Sequence, residues 1–407
     1  MTPAFQTAAR PVQSSLHGIT MLWPGCEDST PDGPLFSRVT DGHDPVGSAL
    51  LDSITTTSIG APWLPAWWED EGVELGRCAF LDTETTGLQG GSGTYVFLIG
   101  IGYVEGGRFV VRQFFLRDLH EEKAMLVALN QLWSRFDTVI TFNGRSFDVP
   151  LLSTRHIMQR MRSRIPVDRH LDLLWPARRL WSKRLPSSAL SAIERDIFGA
   201  VRVGDIPGAL IPTLYYQYLR HHDARSLTAV FEHNRRDITA LAALALHLSQ
   251  LADLAHDESR RHGVHPADLL ALGRMATERG DTAHAVALYE QGLTGQLPPA
   301  TMWAAYMDLA ALYRRQGRFD DAAHVLRQVT ASGTAASHLA AAQLAKYLEH
   351  RQRDAVAAHA VVVAALTALQ LDNRRPQTGA IRADLEYRLR RLEKKVAAQA
   401  TTGERER

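Results

Sequence analysis

Two acidic residues at the end of a short apolar segment are the part of this chain best suited to chemistry. Asp82 and Glu84 directly follow residues 78–81, an uncharged apolar run that predicts a buried β-strand. Residues two apart in a strand project to the same face, so the two carboxylates stand together with no basic residue between them. Such a pair favours a bound cation, and hard carboxylate oxygens suit Mg²⁺ or Mn²⁺. The pair therefore predicts a metal-dependent hydrolase.

Two further acidic residues complete a set of four carboxylates. Asp148 closes the string FNGRSFD at 142–148, just beyond a predicted strand and at a helix start. By itself it is explained as a carboxylate that the helix dipole stabilises. Asp237 closes the string HNRRD at 233–237 on an apolar-backed helix, where a salt bridge with a neighbouring Arg would account for it. Their presence together, in this order after Asp82 and Glu84, predicts one acidic site.

The ordered set resembles the DnaQ-like, or DEDD, 3′–5′ exonuclease superfamily. The matching motifs are Asp-x-Glu on the first strand, Asn-x-x-x-Phe-Asp after the fourth, and a late helical motif that ends in Asp. Within that superfamily the chain is most similar to the YprB-like ribonuclease-H-like group. The segments that carry this similarity are 142–150, 171–174, 205–208 and 233–237. The resemblance covers about residues 77–251.

The resemblance implies an α/β fold, in which a ribonuclease-H-like mixed sheet is flanked by helices. It implies an exonuclease that releases nucleotides from the 3′ end of single-stranded DNA or RNA. The metal ligands carried over are Asp82, Glu84, Asp148 and Asp237. Two Mg²⁺ or Mn²⁺ ions would then flank the phosphorus, activate a water and stabilise the leaving 3′ oxygen. In this scheme Asp82 is shared by both ions, Glu84 and Asp237 complete one site, and Asp148 serves the other through water.

The fifth catalytic position departs from the better-known branches of that superfamily. One branch has Tyr four residues before the last Asp, and another has His five residues before it. Here His233 lies four residues before Asp237, and residues i and i+4 share a helix face. An imidazole at that point could position the attacking water or take its proton. The alternative is a helix-face histidine with a structural role alone.

A basic segment follows Asp148. Residues 155–184 carry a strong excess of Lys and Arg over Asp, with Trp175 and Trp181 interleaved, in a chain whose net charge is +1. Cationic charge with stacking aromatics suits a single-stranded phosphate backbone, although a solvated helix face is the alternative. The predicted nucleic-acid contacts are Thr85, Asn143, Arg155, Arg162, Arg178, Arg179, Lys183 and Arg184.

The bulk composition is that of an ordinary soluble protein with two or three domains. The chain has 407 residues, of which 45% are hydrophobic and 22% charged. Its two cysteines, Cys26 and Cys78, argue against a disulfide framework and favour a reducing cytoplasm. The first residues lack a basic region followed by an apolar run, so a signal peptide is not expected. The apolar segment 355–371 is Ala-rich and short, and we expect no membrane partner.

Composition also divides the first two thirds of the chain. Residues 1–60 are rich in Ser, Thr, Pro and Gly, which predicts a loosely ordered leader with, at most, short strands. A Trp-rich arm at 61–76 is expected to pack Trp side chains onto the next domain, with base stacking as the alternative. Residues 77–251 then alternate strand and helix patterns. Their order predicts three antiparallel strands, a helix, a further strand and more helices.

The last third, residues 265–392, consists of Ala-rich helical patterns that contain an internal sequence repeat. Similar strings begin at Gly280 and Gly317, and a third string, beginning at His350, lacks the glycine. The period resembles tetratricopeptide repeats, in which helix pairs bury their apolar faces by stacking. Such a region could dock a protein partner, or stabilise the first domain or a dimer. A charged tail at 393–407 is predicted to begin helical and end disordered.

Three functions remain open from the sequence. The first is a cytoplasmic two-metal 3′–5′ exonuclease. The second is an endonuclease of the same fold, which would also cut a circular substrate. The third is a non-catalytic adaptor that binds nucleic acid and recruits a partner through its repeats, although the presence of all four acidic positions argues against it.

Overall fold

The computed structural model divides the protein into two units, Met1–Asp253 and Leu254–Arg407. Each unit is described by itself below. The structure describes residues 22, 27–41, 51, 53–60, 63–64, 72–87, 91–334, 336–371 and 379–405.

The described part of the first unit contains nine strands. They are β1 (Glu27–Thr30), β2 (Gly33–Asp41), β3 (Ser58–Gly60), β4 (Gly72–Glu74), β5 (Cys78–Thr85), β6 (Val96–Glu105), β7 (Arg108–Phe115), β8 (Thr138–Thr141) and β9 (His170–Asp172). Seven of them form one sheet in the order β1-β2-β7-β6-β5-β8-β9, and β3 pairs with β4 separately. The predicted mixed α/β sheet is thereby confirmed.

Strand β5 lies inside this sheet because its first half is an unbroken apolar run. Its burial then alternates, so that Asp82 and Glu84 lie on one partly open face while Thr83 and Thr85 are buried on the other. β6 pairs with β5 antiparallel and places Gly100 opposite Asp82. β8 pairs with β5 in parallel on its other side. β5 therefore carries its carboxylates at the junction of the antiparallel and parallel halves of the sheet.

Part of the predicted leader belongs to the sheet. β1 and β2 form a hairpin, and β2 pairs antiparallel with β7, where Phe36 lies opposite Phe115. The Phe36 side chain is fully buried and packs edge-on against Phe115, with ring centroids 6.2 Å apart. Of the predicted Trp-rich arm, Trp63 is buried, whereas Trp67 and Trp68 lie outside the described residues. The core of the first unit thus extends beyond the predicted start at residue 77.

Six helices surround the sheet within the described residues of the first unit. They are α1 (Glu122–Trp133), α2 (Asp148–Met158), α3 (Leu174–Trp181), α4 (Leu190–Ile197), α5 (Ile211–His221) and α6 (Leu227–His256). α6 crosses β6 at Gly100 and Gly102, where an added Cβ would overlap Asn234 and Ile238 side-chain atoms. The two glycines therefore let the helix approach the sheet closely enough for its polar side chains to reach β5.

By length and composition alone, α6 could also cross a membrane. Most of its apolar window, 78%, is buried inside the protein, as expected for the core helix of a soluble protein. Its apolar character is therefore explained by packing against the sheet.

The second unit continues with helices that pack in sequence. Its helices are α7 (Pro266–Glu278), α8 (Thr282–Gly292), α9 (Pro299–Arg315), α10 (Phe319–Ala331), α11 (Ser337–His350), α12 (Ala355–Leu371) and α13 (Gly379–Arg405). Neighbouring helices share one apolar core. Polar contacts add to it, since Tyr289 on α8 donates to Asp308 on α9 and Tyr313 on α9 donates to Glu290 on α8.

The turns inside the helix pairs explain the repeated sequence pattern and correct which residue of the third string is equivalent to the glycines. Gly280 and Gly317 have φ of 84° and 76°, and each stands two residues before the helix that follows. In the third pair that place is taken by Arg353, with φ 55°, two residues before α12. The equivalent of the two glycines is therefore Arg353, not His350, which belongs to α11. The backbone needs the left-handed conformation at this point, and only the first two repeats meet that need with glycine.

Helix α13 runs through most of the predicted charged tail. It extends to Arg405, so the helical start predicted for residues 393–407 continues to within two residues of the C-terminal end of the sequence. Part of its basic charge has a defined partner in the repeats. Lys395 Nζ lies 2.6 Å from Oε1 of the buried Glu349 on α11, and Arg391 donates to the same carboxylate.

The close approach of α6 to β6 makes Gly100 a sensitive position. We expect Gly100→Ala to lower the free energy of unfolding by roughly 1–3 kcal/mol, because the new methyl would overlap Asn234 and Ile238. Urea denaturation of the full-length protein measures the loss. Gly93→Ala is the matched control, since an added Cβ there meets no atom within 4 Å. Equal stability of the two variants would contradict the packing described.

Candidate active site

The carboxyl groups of Asp82 and Glu84 are held in an environment that opposes their ionisation. Burial raises the pKa of Asp82 well above its usual value, and the charges of Asp237, Glu84 and Asp148 raise it further. Burial also raises the pKa of Glu84, again with contributions from Asp237 and Asp148. Carboxylates drawn from three separate stretches of the chain therefore lie within electrostatic range of one another.

Asp148 reaches this region because the loop before α2 turns sharply. Asn143 adopts a left-handed conformation with φ 67°, and an added Cβ at Gly144 would overlap the side chain of Thr141. Thr83, on the opposite face of β5 from Asp82, donates a hydrogen bond to Asp148 Oδ1. Burial nevertheless raises the pKa of Asp148 to about 6, against the lowering effect of that hydrogen bond.

Asp172 holds the same loop from the end of β9. Its carboxylate accepts hydrogen bonds from the backbone N–H of Asn143 at 2.7 Å and of Arg145 at 3.0 Å. It also accepts one from Leu174 N at 3.1 Å, at the start of α3. Because both oxygens are used by backbone donors, Asp172 fixes the position of Asp148 rather than joining the four carboxylates.

Helix α6 supplies the remaining site residues. Asn234 Nδ2 donates to Asp82 Oδ2 at 2.8 Å, and Gln113 Nε2 donates to Asn234 Oδ1 at 2.9 Å. Asn234 is fully buried, so this bond fixes the Asp82 carboxylate against α6. His233 and Asp237 are one helical turn apart, and the distance from His233 Nε2 to Asp237 Oδ2 is 3.5 Å. The HNRRD string therefore directs His233, Asn234 and Asp237 toward β5.

A cation and a fifth carboxylate adjoin Asp237. Arg202 Nη2 lies 2.5 Å from Asp237 Oδ1, a buried oxygen, and forms an ion pair with it. The Arg202 guanidinium also contacts Glu194 on α4 and lies 3.2 Å from Asp205 Oδ2. Asp205 Oδ1 in turn lies 2.7 Å from His233 Nδ1. Hydrogen bonds from His233 and Arg202 lower the pKa of Asp205, although burial opposes this.

Two predicted nucleic-acid contacts are wrong. Arg155 is 3% exposed, because its guanidinium pairs with Glu122 on α1 at 2.5 Å and covers the Tyr95 ring at 4.0 Å. It is a core ion pair, and its charge is unavailable to a phosphate. Thr85 is buried, and its hydroxyl donates to Gly87 O at 2.8 Å, so it holds the turn after β5.

The other predicted contacts lie on the surface in two different places. Asn143, Arg178, Arg179 and Lys183 are exposed and Arg184 is half-buried, on the loop before α2 or on and just after α3. Arg162 is exposed too, but it follows the C-terminal end of α2, whereas Asp148 begins that helix. Eleven residues of helix span about 16 Å, which separates Arg162 from the acidic site. The aromatic residues also differ, since Trp175 is 62% exposed and Trp181 is buried.

Sequence reasoning missed four residues that shape the site. Asn234 had a usable signal, because it stands three residues before Asp237 on the same helix face. Thr83 lies between the two acidic residues in the sequence, and a small polar side chain at that position gives no signal of a role in the site. Asp205 opens the segment 205–208, which carries part of the family similarity, but nothing local indicates that it contacts His233. Arg202 lies in an irregular stretch and has no local signal.

Family models for both units match this chain. Residues 79–249 match the RNase_H superfamily, and residues 269–300 and 304–333 each match a tetratricopeptide repeat. The uncharacterized protein YprB of Bacillus subtilis (strain 168) is 31% identical over 289 residues, which cover 70% of this chain and 68% of YprB. A family B DNA polymerase from the hyperthermophilic archaeon Pyrobaculum calidifontis is 16% identical with a TM-score of 0.34, over 61% of this chain and 36% of the polymerase.

The first unit therefore contains an RNase H superfamily domain, which indicates a nuclease, and helical tetratricopeptide repeats follow it. The chain belongs to the YprB-like family. The predicted family is confirmed by both the matched regions and the extent of the similarity.

Nucleases with this fold generally use divalent metal ions, and the donor set fits such an ion. Asp82, Glu84 and Asp148 are carboxylates whose mutual repulsion calls for positive charge, and their oxygens are the donors that Mg²⁺ and Mn²⁺ prefer. Within the described ranges, no three His, Cys, Asp or Glu side chains form a metal-binding group as they stand. Arg202 provides a physical reason, because it holds Asp237 in an ion pair. The two-ion site remains a prediction.

Metal binding should stabilise the protein, since a bound divalent ion offsets the repulsion among the carboxylates. We expect Mn²⁺ to raise the melting temperature of the wild-type protein at pH 8. Asp82→Asn should melt a few degrees higher than wild type in chelator, a gain of about 1 kcal/mol, because it removes a charge whose burial is unfavourable. The same variant should lose most of the Mn²⁺-dependent shift.

Differential scanning fluorimetry with Mn²⁺ or chelator makes this measurement. Asp168→Asn is the control, because Asp168 is exposed in the turn before β9. An undiminished Mn²⁺ response in Asp82→Asn would reject Asp82 as a ligand.

Proposed function

We propose that this protein is a metal-dependent 3′–5′ exonuclease of the cytoplasm that hydrolyses single-stranded nucleic acid. Two contacts around β5 support the proposal most: Asn234, three residues before Asp237 on α6, donates to Asp82 Oδ2 at 2.8 Å, and Thr83, between Asp82 and Glu84, donates to Asp148 Oδ1. Membership of the YprB-like family, with its RNase H superfamily domain, supports the choice of a phosphodiester substrate.

The residues of the site have separate roles in this proposal. Asp82, Glu84, Asp148 and Asp237 would hold two Mg²⁺ or Mn²⁺ ions, which supply the charge that activates water and stabilises the leaving 3′ oxygen. Asn234 keeps the Asp82 carboxylate in one orientation through its 2.8 Å hydrogen bond. His233, with Nε2 on the side of Asp237, positions the attacking water or accepts its proton.

The substrate strand would follow the surface of α3. Arg178 and Lys183 are exposed on or just after this helix, and Trp175 presents a largely exposed ring on which a base could stack. α3 begins two residues after Asp172, which holds the loop that leads to Asp148. The exposed side chain of Asn143 lies on that same loop and is placed to contact the strand. The repeats of the second unit would dock a protein partner.

The activity is tested with end-labelled single-stranded DNA and RNA, incubated with purified full-length protein in Mn²⁺, Mg²⁺ or chelator. We expect mononucleotide release from the 3′ end with metal and no hydrolysis in chelator. Asp237→Asn, which removes one ligand charge, should lower the rate at least 100-fold, while Asp168→Asn should leave it unchanged.

A circular single-stranded substrate provides the complementary control. Because a circle has no 3′ end, its cleavage would show that the protein is an endonuclease and would reject the exonuclease. Failure to cut either linear substrate under any metal condition, with binding retained, would favour the non-catalytic adaptor.

The surface of α3 is tested by removing two of its charges. We expect Arg178→Ala combined with Lys183→Ala to raise the KM several-fold with little change in kcat, because these side chains would neutralise phosphates far from the reacting bond. The slope of log K for binding against log salt concentration should become less negative by about 1.4, which is about 0.7 for each lost phosphate contact to a single strand. Arg162→Ala combined with Arg164→Ala, which removes two exposed charges beyond the far end of α2, is the matched control. An equal effect of the two changes would reject α3 as the binding surface.

A further inference from the structure

A single inward-facing cation organises the loop between α4 and α5, residues 198–210. Val201 and Val203 are 73% and 81% exposed, whereas the side chain of Arg202 between them is only 10% exposed. Arg202 Nε donates to Glu194 Oε2 on α4 at 2.7 Å. The loop is therefore fixed to α4 through a buried ion pair, and its charged side faces α6.

Asp205 is held in this loop by three donors. Arg202 Nη1 donates to Oδ2 at 3.2 Å, and the backbone N–H of Ile206 donates to Oδ1 at 3.0 Å. The third donor is the imidazole of His233, whose Nδ1 lies 2.7 Å from Oδ1. The carboxylate is thereby fixed in position before it meets α6, so it can determine the orientation of the histidine ring.

This contact selects the tautomer of His233. An ionised carboxylate can only accept hydrogen bonds, so the short contact with Asp205 requires a proton on Nδ1. The other ring nitrogen, Nε2, lies 3.5 Å from Asp237 Oδ2. The contact with Asp205 therefore directs Nε2 to the region of the four carboxylates.

We propose that Asp205 is a positioning residue for His233. Its carboxylate accepts a hydrogen bond from Nδ1–H, which fixes the ring and directs Nε2 to the place where an attacking water would stand. The consequence for catalysis rests on the proposed exonuclease function, whereas the tautomer can be measured without any substrate.

Nuclear magnetic resonance of the full-length protein tests the tautomer directly. With ¹⁵N-labelled histidine, the His233 signals are identified by their absence from His233→Gln. We expect the Nδ1–H tautomer in the wild-type protein and a shift toward Nε2–H in Asp205→Ala. A wild-type His233 in the Nε2–H form would overturn the proposal, and this outcome does not depend on whether the variant folds.

Kinetics then test the consequence. We expect Asp205→Ala to lower kcat about 10- to 100-fold with little change in KM, the size of effect typical of a residue that orients a catalytic group. Asp205→Asn should retain most of the activity, because its amide oxygen can accept the same hydrogen bond. In a His233→Ala background, Asp205→Ala should cause no further loss, since the residue would act only through His233.

The two proposals fail in different ways. A tautomer that depends on Asp205 in a protein without nuclease activity would leave the positioning role intact and reject the exonuclease. An active enzyme in which Asp205→Ala changes neither tautomer nor kcat would reject the positioning role. Asp223→Ala, at an exposed loop carboxylate paired with Arg225, is the control for a general effect of losing an acidic residue.

Discussion

Repulsion among four carboxylates in one partly buried region is the constraint on which the first unit depends. Burial alone raises the pKa of Asp82, and three further negative charges add to the effect. A folded protein can keep such a set only if rigid elements hold it and if cations compensate its charge. Hydrogen bonds and an ion pair hold three of the four carboxylates, and one cation, Arg202, compensates part of their charge.

Three of the four carboxylates are held by a partner from another element. Asn234 on α6 binds Asp82, Thr83 on β5 binds Asp148, and Asp172 at the end of β9 fixes the loop that carries Asp148. Arg202 contacts Asp237 and is the one cation among these partners. The site is thus spread over the sheet, two helices and a loop, and the approach of α6 at Gly100 brings these parts together. This distribution explains why small changes far along the chain should be felt at the reacting centre.

The second unit is governed by a different constraint. Its helices are Ala-rich and short, so each buries its apolar face only by packing against its neighbours. The turns need left-handed backbone, which glycine supplies twice and Arg353 once. Non-glycine residues in that conformation are uncommon, and the cost is tolerated because the surrounding helices fix the turn. Because Arg353 replaces glycine in the third helix pair, the repeated sequence pattern is weaker there.

Local sequence determined much of the fold and the core of the site. Alternation in β5 placed Asp82 and Glu84 on one face, and helical spacing placed His233 with Asp237, because both periodicities follow from backbone geometry alone. The order of strands and helices was predicted from the periods of their apolar residues, the mixed sheet from the family resemblance, and the repeats from recurring strings at Gly280 and Gly317.

Only the tertiary structure decided which distant side chains meet. A Ser- and Pro-rich leader joins the sheet through Phe36, and Arg155 is buried with Glu122 instead of facing a phosphate. Arg202 and Asp205 were hidden because a turn pattern states nothing about the helix that its side chains will contact. Charge and hydrogen-bond partners depend on long-range packing, which sums many weak contacts and leaves no short-range pattern in the sequence.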